Sequence, residues 1–182
     1  MKRVLGFDIS STTIGYCVLE ISDGNDIQFI LCNYIKPLKK GSIIERVAHT
    51  RDVVQSVIDQ VKPDYIAIED IVQFMAGAST AKTIITLTTF NRMIGLLAHD
   101  YLGKSPALYS VMSIRHGLKT DKILPKKEEI PDLVAKHLKI KFPYLFNKKG
   151  KIKVESYDMA DGVAVALFHA FVLTQRVKVK KS

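Results

Sequence analysis

Apolar residues follow two rhythms along this chain. Residues 3–9 and 13–20 are short apolar runs separated by Ser10-Ser11-Thr12, and 27–35 is a third, set off by Asp23-Gly24-Asn25-Asp26. Such runs, bounded by turn residues, predict strands, here an antiparallel meander. From Ser42 the period lengthens. Ile43, Ile44, Val47, Val54, Val57, Ile58 and Val61 recur at helical spacing until Pro63 stops them. Residues 64–69 return to strand. A long helix is predicted over 78–101, with Ile84, Ile85, Leu87, Met93, Ile94 and Leu97 among its apolar positions, and 107–112 makes a fifth strand. The stretch 113–125, holding Gly117, Lys119, Lys122 and Pro125, reads as irregular. A helix over 127–139 follows, with Pro131 in its first turn or at its start. Residues 141–154 read as a basic loop or small hairpin, and 156–174 as a final helix with Ser156 a good N-cap.

This order predicts an α/β fold: a mixed five-stranded sheet, antiparallel meander plus parallel strands, flanked by helices. Right-handed crossovers set the fourth and fifth strands parallel to the first. The length of 182 residues suits one domain, 1–182, ending in a short basic tail. Within that frame four carboxylates stand at the edges of apolar runs. Asp8 ends the first, Glu69 ends the fourth, and Asp158 and Asp161 open the run Gly162-Val163-Ala164-Val165-Ala166-Leu167-Phe168. Asp8 and Glu69 then lie side by side at the carboxyl ends of neighbouring strands, where open α/β sheets carry their sites.

Composition narrows the class. With 47% hydrophobic and 25% charged residues the chain is an ordinary globular one. No apolar stretch reaches the length of a bilayer crossing, and Asp8 interrupts any signal-peptide core. Cys17 and Cys32 lack metal-ligand spacing and read as free thiols of a reducing cytoplasm. The net charge of +9 is unevenly spread: residues 115–153 hold 12 Lys/Arg against 4 Asp/Glu, and the tail from Arg176 adds 4 basic residues and no acid. A solvated lysine-rich surface would explain that bias. So would a polyanion laid over an acidic, metal-filled site, and nucleic acid suits it best. A membrane surface does not, because no basic amphipathic helix accompanies the charge.

A buried carboxylate is costly without a partner. Asp158 and Asp161, three apart, share a helix face, although acidic residues near a helix N-terminus are also favoured by the macrodipole. Singly, Asp8 could bond the Ser10-Ser11 turn and Glu69 a lysine. Together they ask for shared cations, and hard divalent ions such as Mg²⁺ prefer carboxylate oxygens plus substrate phosphate. Two ions about 4 Å apart activate a water and stabilise the leaving oxygen. Asp8, on the central strand, is the expected bridge; Glu69 with Asp158 or Asp161 completes the shells. Asp70 is turned away by strand alternation, while Glu155 stays a candidate. The His residues show no zinc spacing, and no Walker-type loop or small-molecule cofactor motif is present.

With those residues placed, the chain resembles the RuvC family of Holliday junction resolvases, within the RNase H-like superfamily. The resemblance rests on Val4-Leu5-Gly6-Phe7-Asp8-Ile9-Ser10-Ser11 with Thr13-Ile14-Gly15-Tyr16, on Ala67-Ile68-Glu69 followed by Phe74-Met75-Ala76, and on Asp158-Met159-Ala160-Asp161. It implies a homodimer that nicks two opposed strands of a four-way DNA junction with Mg²⁺ or Mn²⁺, two ions per site, leaving 5′-phosphate and 3′-hydroxyl ends. It assigns Asp8, Glu69, Asp158 and Asp161 to catalysis and metal binding. Arg115 and Lys127 fall nearest the expected backbone-contacting positions, with Lys119, Lys122 and Lys126 close by, and Phe74 is the counterpart of a base-stacking aromatic. Part of the helix over 78–101 is implied in the dimer contact. It also implies a cytoplasmic enzyme of a bacterial cell.

Three departures stand out. The loop after Glu69 is two residues longer before its aromatic, so Phe74 reads equally as a core or dimer-contact side chain. Ile9-Ser10-Ser11 replaces a common proline-glycine-serine turn, and 141–154 has no evident counterpart. A compact resolvase like those of bacteriophages, cutting other branched DNA as well, fits these departures. Competing readings are a YqgF-like nuclease of structured RNA, an actin-like nucleotide-binding fragment, for which 182 residues leave no room for the second domain, and a non-catalytic nucleic-acid-binding module.

Overall fold

The computed structural model describes residues 1–71, 81–120 and 122–177. Strands β1 (Lys2–Ile9), β2 (Ile14–Ile21) and β3 (Ile27–Ile35) form the meander, and β4 (Tyr65–Glu69) and β5 (Ala107–Tyr109) extend it in the order β3-β2-β1-β4-β5. β4 runs parallel to β1, and β5 parallel to β4. The helices are α1 (Ile43–Val61), α2 (Ala81–Leu102), α3 (Val111–Leu118), α4 (Ile130–Leu138) and α5 (Glu155–Leu173). The mixed sheet, with β4 beside and parallel to β1, is as expected.

Local chemistry sets the element ends. Ser42 and Glu45 form a capping box at the start of α1, and Lys62 closes it in the left-handed conformation, just before Pro63. Asn25, at φ 65°, takes the tight position in the turn between β2 and β3. Strand alternation then divides the interior in two. Leu5, Phe7, Ile66 and Ile68 pack with Val54 and Ile58 of α1 and Phe90 and Ile94 of α2. Val4, Cys17, Leu19 and Ala67 face the other way, onto Val163, Ala166 and Leu167 of α5.

That second layer is unusually close. A Cβ on Gly6 would lie 2.5 Å from the backbone N of Ala166, and one on Gly15 would lie 1.8 Å from the carbonyl oxygen of Asp158. From the helix side, a Cβ on Gly162 would lie 2.7 Å from the carbonyl carbon of Gly15. Helix α5 therefore rests on the backbone of β1 and β2, with glycine on both sides of the contact.

Four expectations need correction. The fifth strand stops at Tyr109, and Ser110 caps α3 by accepting the Ser113 N–H at 3.1 Å. The stretch read as irregular therefore begins as a helix. Gly117 does not break it; a Cβ there would lie 2.1 Å from Cε2 of Phe168, so glycine is a packing requirement. Ser156 is not the N-cap of the last helix but lies buried in its first turn, accepting the Leu145 N–H at 2.9 Å. Finally, α5, at 19 residues and mean hydropathy 1.2, does have the length and composition of a membrane crossing, with 72% of it buried inside this fold. Pro131 falls in the first turn of α4 as expected, and Cys17 and Cys32 are free thiols.

Gly15→Ala is expected to cost about 2–4 kcal/mol, because the clash is with backbone that cannot rotate away. Gly24→Ala, in the β2–β3 turn with only side-chain atoms beyond 3.5 Å, should stay within about 0.5 kcal/mol of the parent. Urea denaturation of the two variants checks the contrast.

Candidate active site

β1 and β4 run in register, with Phe7 beside Ile68. The next residues, Asp8 and Glu69, are thus neighbours at the carboxyl ends of their strands. Alternation puts Asp8 with Val4 and Gly6 on the α5 side. Asp158 and Asp161 come down from the first two turns of α5, whose backbone is pressed against Gly15. Asp8, Asp158 and Asp161 each offer an oxygen within 4.8 Å of the others. Glu69 stands beside this trio, near enough to raise Asp8 and to be raised by Asp161.

The electrostatics follow from the crowding. Burial pushes the Asp8 carboxyl well above the usual carboxylate range, and the charges of Glu69 and Asp161 push it further. Burial and then Asp161 raise Glu69 from its ordinary 4.5 to about 7, against the pull of Arg115 and Lys127. Asp161 is raised by burial, with Lys127 opposing. Acidic groups forced up in this way lack sufficient positive charge.

The positive charge in direct contact with the cluster, among the described residues, is that of Lys127. Its ammonium lies 3.4 Å from Asp158 and 3.2 Å from Asp161. Burial works against its charge, but the two aspartates outweigh burial and its pKa rises. A side-chain cation already sits on two of the three clustered carboxylates, and the donor set is all oxygen. Both observations fit a hard divalent cation at this place.

The remaining candidates separate. Arg115, on α3, acts on both Glu69 and Asp161. Lys119 and Lys122 flank and follow the end of α3, and Lys126 opens the turn before α4; no ion pair among the described residues joins them to the carboxylates. Phe74 lies outside the described residues. Asp70 turns toward α2, paired with Arg92 at 3.2 Å, as alternation implied. Glu155 forms an ion pair with Lys36 and is not among the three clustered acids.

One residue had gone unremarked. Asn91, buried on α2, donates its amide to the carbonyl of Glu69 at 2.9 Å, so it fixes the end of β4. A polar residue between Phe90 and Ile94 on the inward face of a helix was the available signal.

A mixed sheet of this order with acidic residues gathered at its carboxyl end is the arrangement of an RNase H-like nuclease. The chain belongs to the crossover junction endodeoxyribonuclease RuvC family, whose family model matches residues 4–169. A RuvC of Acidobacterium capsulatum is 28% identical over 78% of this chain and 82% of its own length. One from Campylobacter jejuni (serotype O:6) is 26% identical over 96% and 99%. Among solved structures, Thermus thermophilus RuvC in complex with Holliday junction substrate matches with a TM-score of 0.71 at 19% identity over 96% of both chains. A yeast mitochondrial Holliday junction resolvase matches at 0.67 and 15% identity over 96% of this chain and 80% of its own. At those identities the structures speak for the fold.

The carboxyl groups of Asp8, Glu69 and Asp161 ionise at higher pH in the folded chain than in the unfolded one. The folded protein therefore holds extra protons in that window, from 4.5 to about 7 for Glu69, and loses stability as pH rises through it. In EDTA, Asp8→Asn should be more stable than the parent at pH 8, with the gap shrinking toward pH 5 as the buried acid of the parent regains its proton. Thermal melts across that range measure it.

Proposed function

We propose that this protein resolves four-way (Holliday) DNA junctions, hydrolysing one phosphodiester in each of two opposed strands to leave 5′-phosphate and 3′-hydroxyl ends. The observation that carries the reading is the convergence of Asp8, Asp158 and Asp161 within 4.8 Å, beside Glu69, in a chain of the RuvC family. The relatives are named for crossover-junction cutting, and the Thermus protein is in complex with a Holliday junction substrate, which supports the reading.

Asp8, Glu69, Asp158 and Asp161 are the proposed ligands of two Mg²⁺ ions per site, with Mn²⁺ able to substitute and Asp8 shared between them. Bound there, such cations supply a water that ionises near neutral pH and positive charge for the leaving 3′ oxygen. Cations held there would favour the ionised carboxylates of Asp8 and Glu69, whose pKa values are raised in the bare site by burial and then by neighbouring acids. Lys127 swings from Asp158 and Asp161 to a phosphate oxygen of the strand, and Arg115 steadies Glu69 from α3. Lys119, Lys122 and Lys126 supply backbone contacts that add affinity and salt dependence without reading sequence. Phe74 keeps its proposed stacking role. The bacterial origin of the RuvC relatives supports a location in the cytoplasm of a bacterial cell.

Symmetric cutting needs two sites, and a homodimer supplies them. The proposed contact is the outer face of α2, where Ile85 and Leu96 are 63% and 60% exposed. Replacing both by Glu should yield a monomer in sedimentation that makes unpaired nicks. A double variant that stays dimeric would remove α2 from the interface.

Incubation of the protein with labelled four-way junction, duplex, flap and structured RNA tests the substrate. Expected are paired, opposed nicks at the branch point that vanish in EDTA; preferential cutting of RNA would move the reading to a YqgF-like nuclease. Asp8→Asn should lose cutting by about a thousandfold or more while still binding the junction. Cutting by that variant at the parent rate would overturn its role.

A further inference from the structure

The lysine-rich segment before α5 is a built hairpin that the carboxylate site does not use. Phe146 pairs with Ile152, and the Lys153 N–H donates to the Leu145 carbonyl at 2.8 Å. Asn147 locks the turn: its Oδ1 accepts the backbone N–H groups of Lys149 at 2.8 Å and Lys151 at 3.1 Å. Gly150 takes φ 73° there, and Ser156 of α5 secures the base through the Leu145 N–H. This turn is ordered by its own bonds before any partner arrives.

Its surface suits a polyanion. Lys148, Lys149 and Lys151 are exposed, and none of them joins an ion pair among the described residues. Three like charges on one short turn raise the local positive potential, which favours an anionic partner. Between the lysines and the body of the protein, Phe146 is 57% and Val154 65% exposed. The arrangement is a cationic tip with an apolar flank, the pairing that phosphates and the sugar–base edges beside them call for.

Position supplies the second argument. The hairpin runs straight into α5, and the Val154 carbonyl accepts the Asp158 N–H one turn later. Lys149 lies five residues before Val154, so the tip stands no more than about 18 Å from the helix start. That is about five base pairs at roughly 3.4 Å each. The tip is thus no farther from the start of the helix that carries Asp158 and Asp161 than a short length of duplex spans.

We infer that the 145–153 hairpin is a second DNA-contact element. Lys148, Lys149 and Lys151 grip phosphates of a duplex arm leaving the cut site, and Phe146 lies against a sugar–base edge between them. The inference rests on the junction-cutting function and extends it to an arm of the substrate.

Junction binding measured in EDTA over a range of KCl concentrations tests it. Lys148→Ala/Lys149→Ala/Lys151→Ala should bind at least about tenfold more weakly near 0.1 M salt, with the slope of log K against log salt shallower by about 2.7. Phe146→Ala should bind about tenfold more weakly at every salt concentration with the slope unchanged. Lys2→Ala, exposed and at the opposite end of β1 from Asp8, should leave affinity and slope close to the parent's. Parent affinity and slope in the triple variant would overturn the proposal, and parent affinity in Phe146→Ala would overturn that residue's part. A parent protein that neither binds nor cuts the junction would instead overturn the function on which the inference rests.

Discussion

The structure depends on one close contact, the seating of α5 on bare backbone. Gly6 and Gly15 in the sheet and Gly162 in the helix leave no Cβ between the two layers. Any side chain there would lift the helix, and with it Asp158 and Asp161, away from Asp8. The same seating hides the apolar length of α5, from Met159 to Phe171, and so belongs to the core as much as to the site. Fold and chemistry are therefore coupled through three glycines: the substitution that loosens the core also opens the carboxylate cluster.

That coupling has an electrostatic cost. Gathering Asp8, Asp158 and Asp161 with Glu69 in a partly desolvated place raises the pKa of three of the four, and one lysine cannot neutralise them all. Natural chains retain such clusters at functional sites, where the charge deficit becomes affinity for cations. Helix packing supplies the free energy that holds the acids together, and the site returns part of it when a cation binds. The basic residues then have a division of labour. Lys127 and Arg115 act within the cluster, while the exposed lysines beyond it are the proposed contacts to a polyanion.

Much of this was legible in the sequence, for identifiable reasons. Apolar runs ending in Asp8 and Glu69 announce strands with acids at their carboxyl ends, and the crossover rule alone makes them neighbours. Asp158 and Asp161 share a face by helical period. The errors came where tertiary packing overrode local preference. Gly117 reads as a breaker until Phe168 is seen to occupy the space of its Cβ. Ser156 reads as a cap until its hydroxyl is found on Leu145, a partner in a preceding hairpin. Ser110 ends β5 early because its side chain serves α3. Asn91 was invisible because its role lies in a bond to the backbone of a distant strand.

The central claim is that these carboxylates hold divalent cations directly against the phosphate that is cut. A four-way junction with one non-bridging oxygen of the scissile phosphate replaced by sulfur tests it most directly. Sulfur binds Mg²⁺ poorly and softer ions such as Mn²⁺ or Cd²⁺ better. The prediction is that one stereoisomer is cut sharply more slowly in Mg²⁺ and that the softer ion restores cutting. Cutting that is indifferent to the metal supplied, or that persists in EDTA, would contradict it.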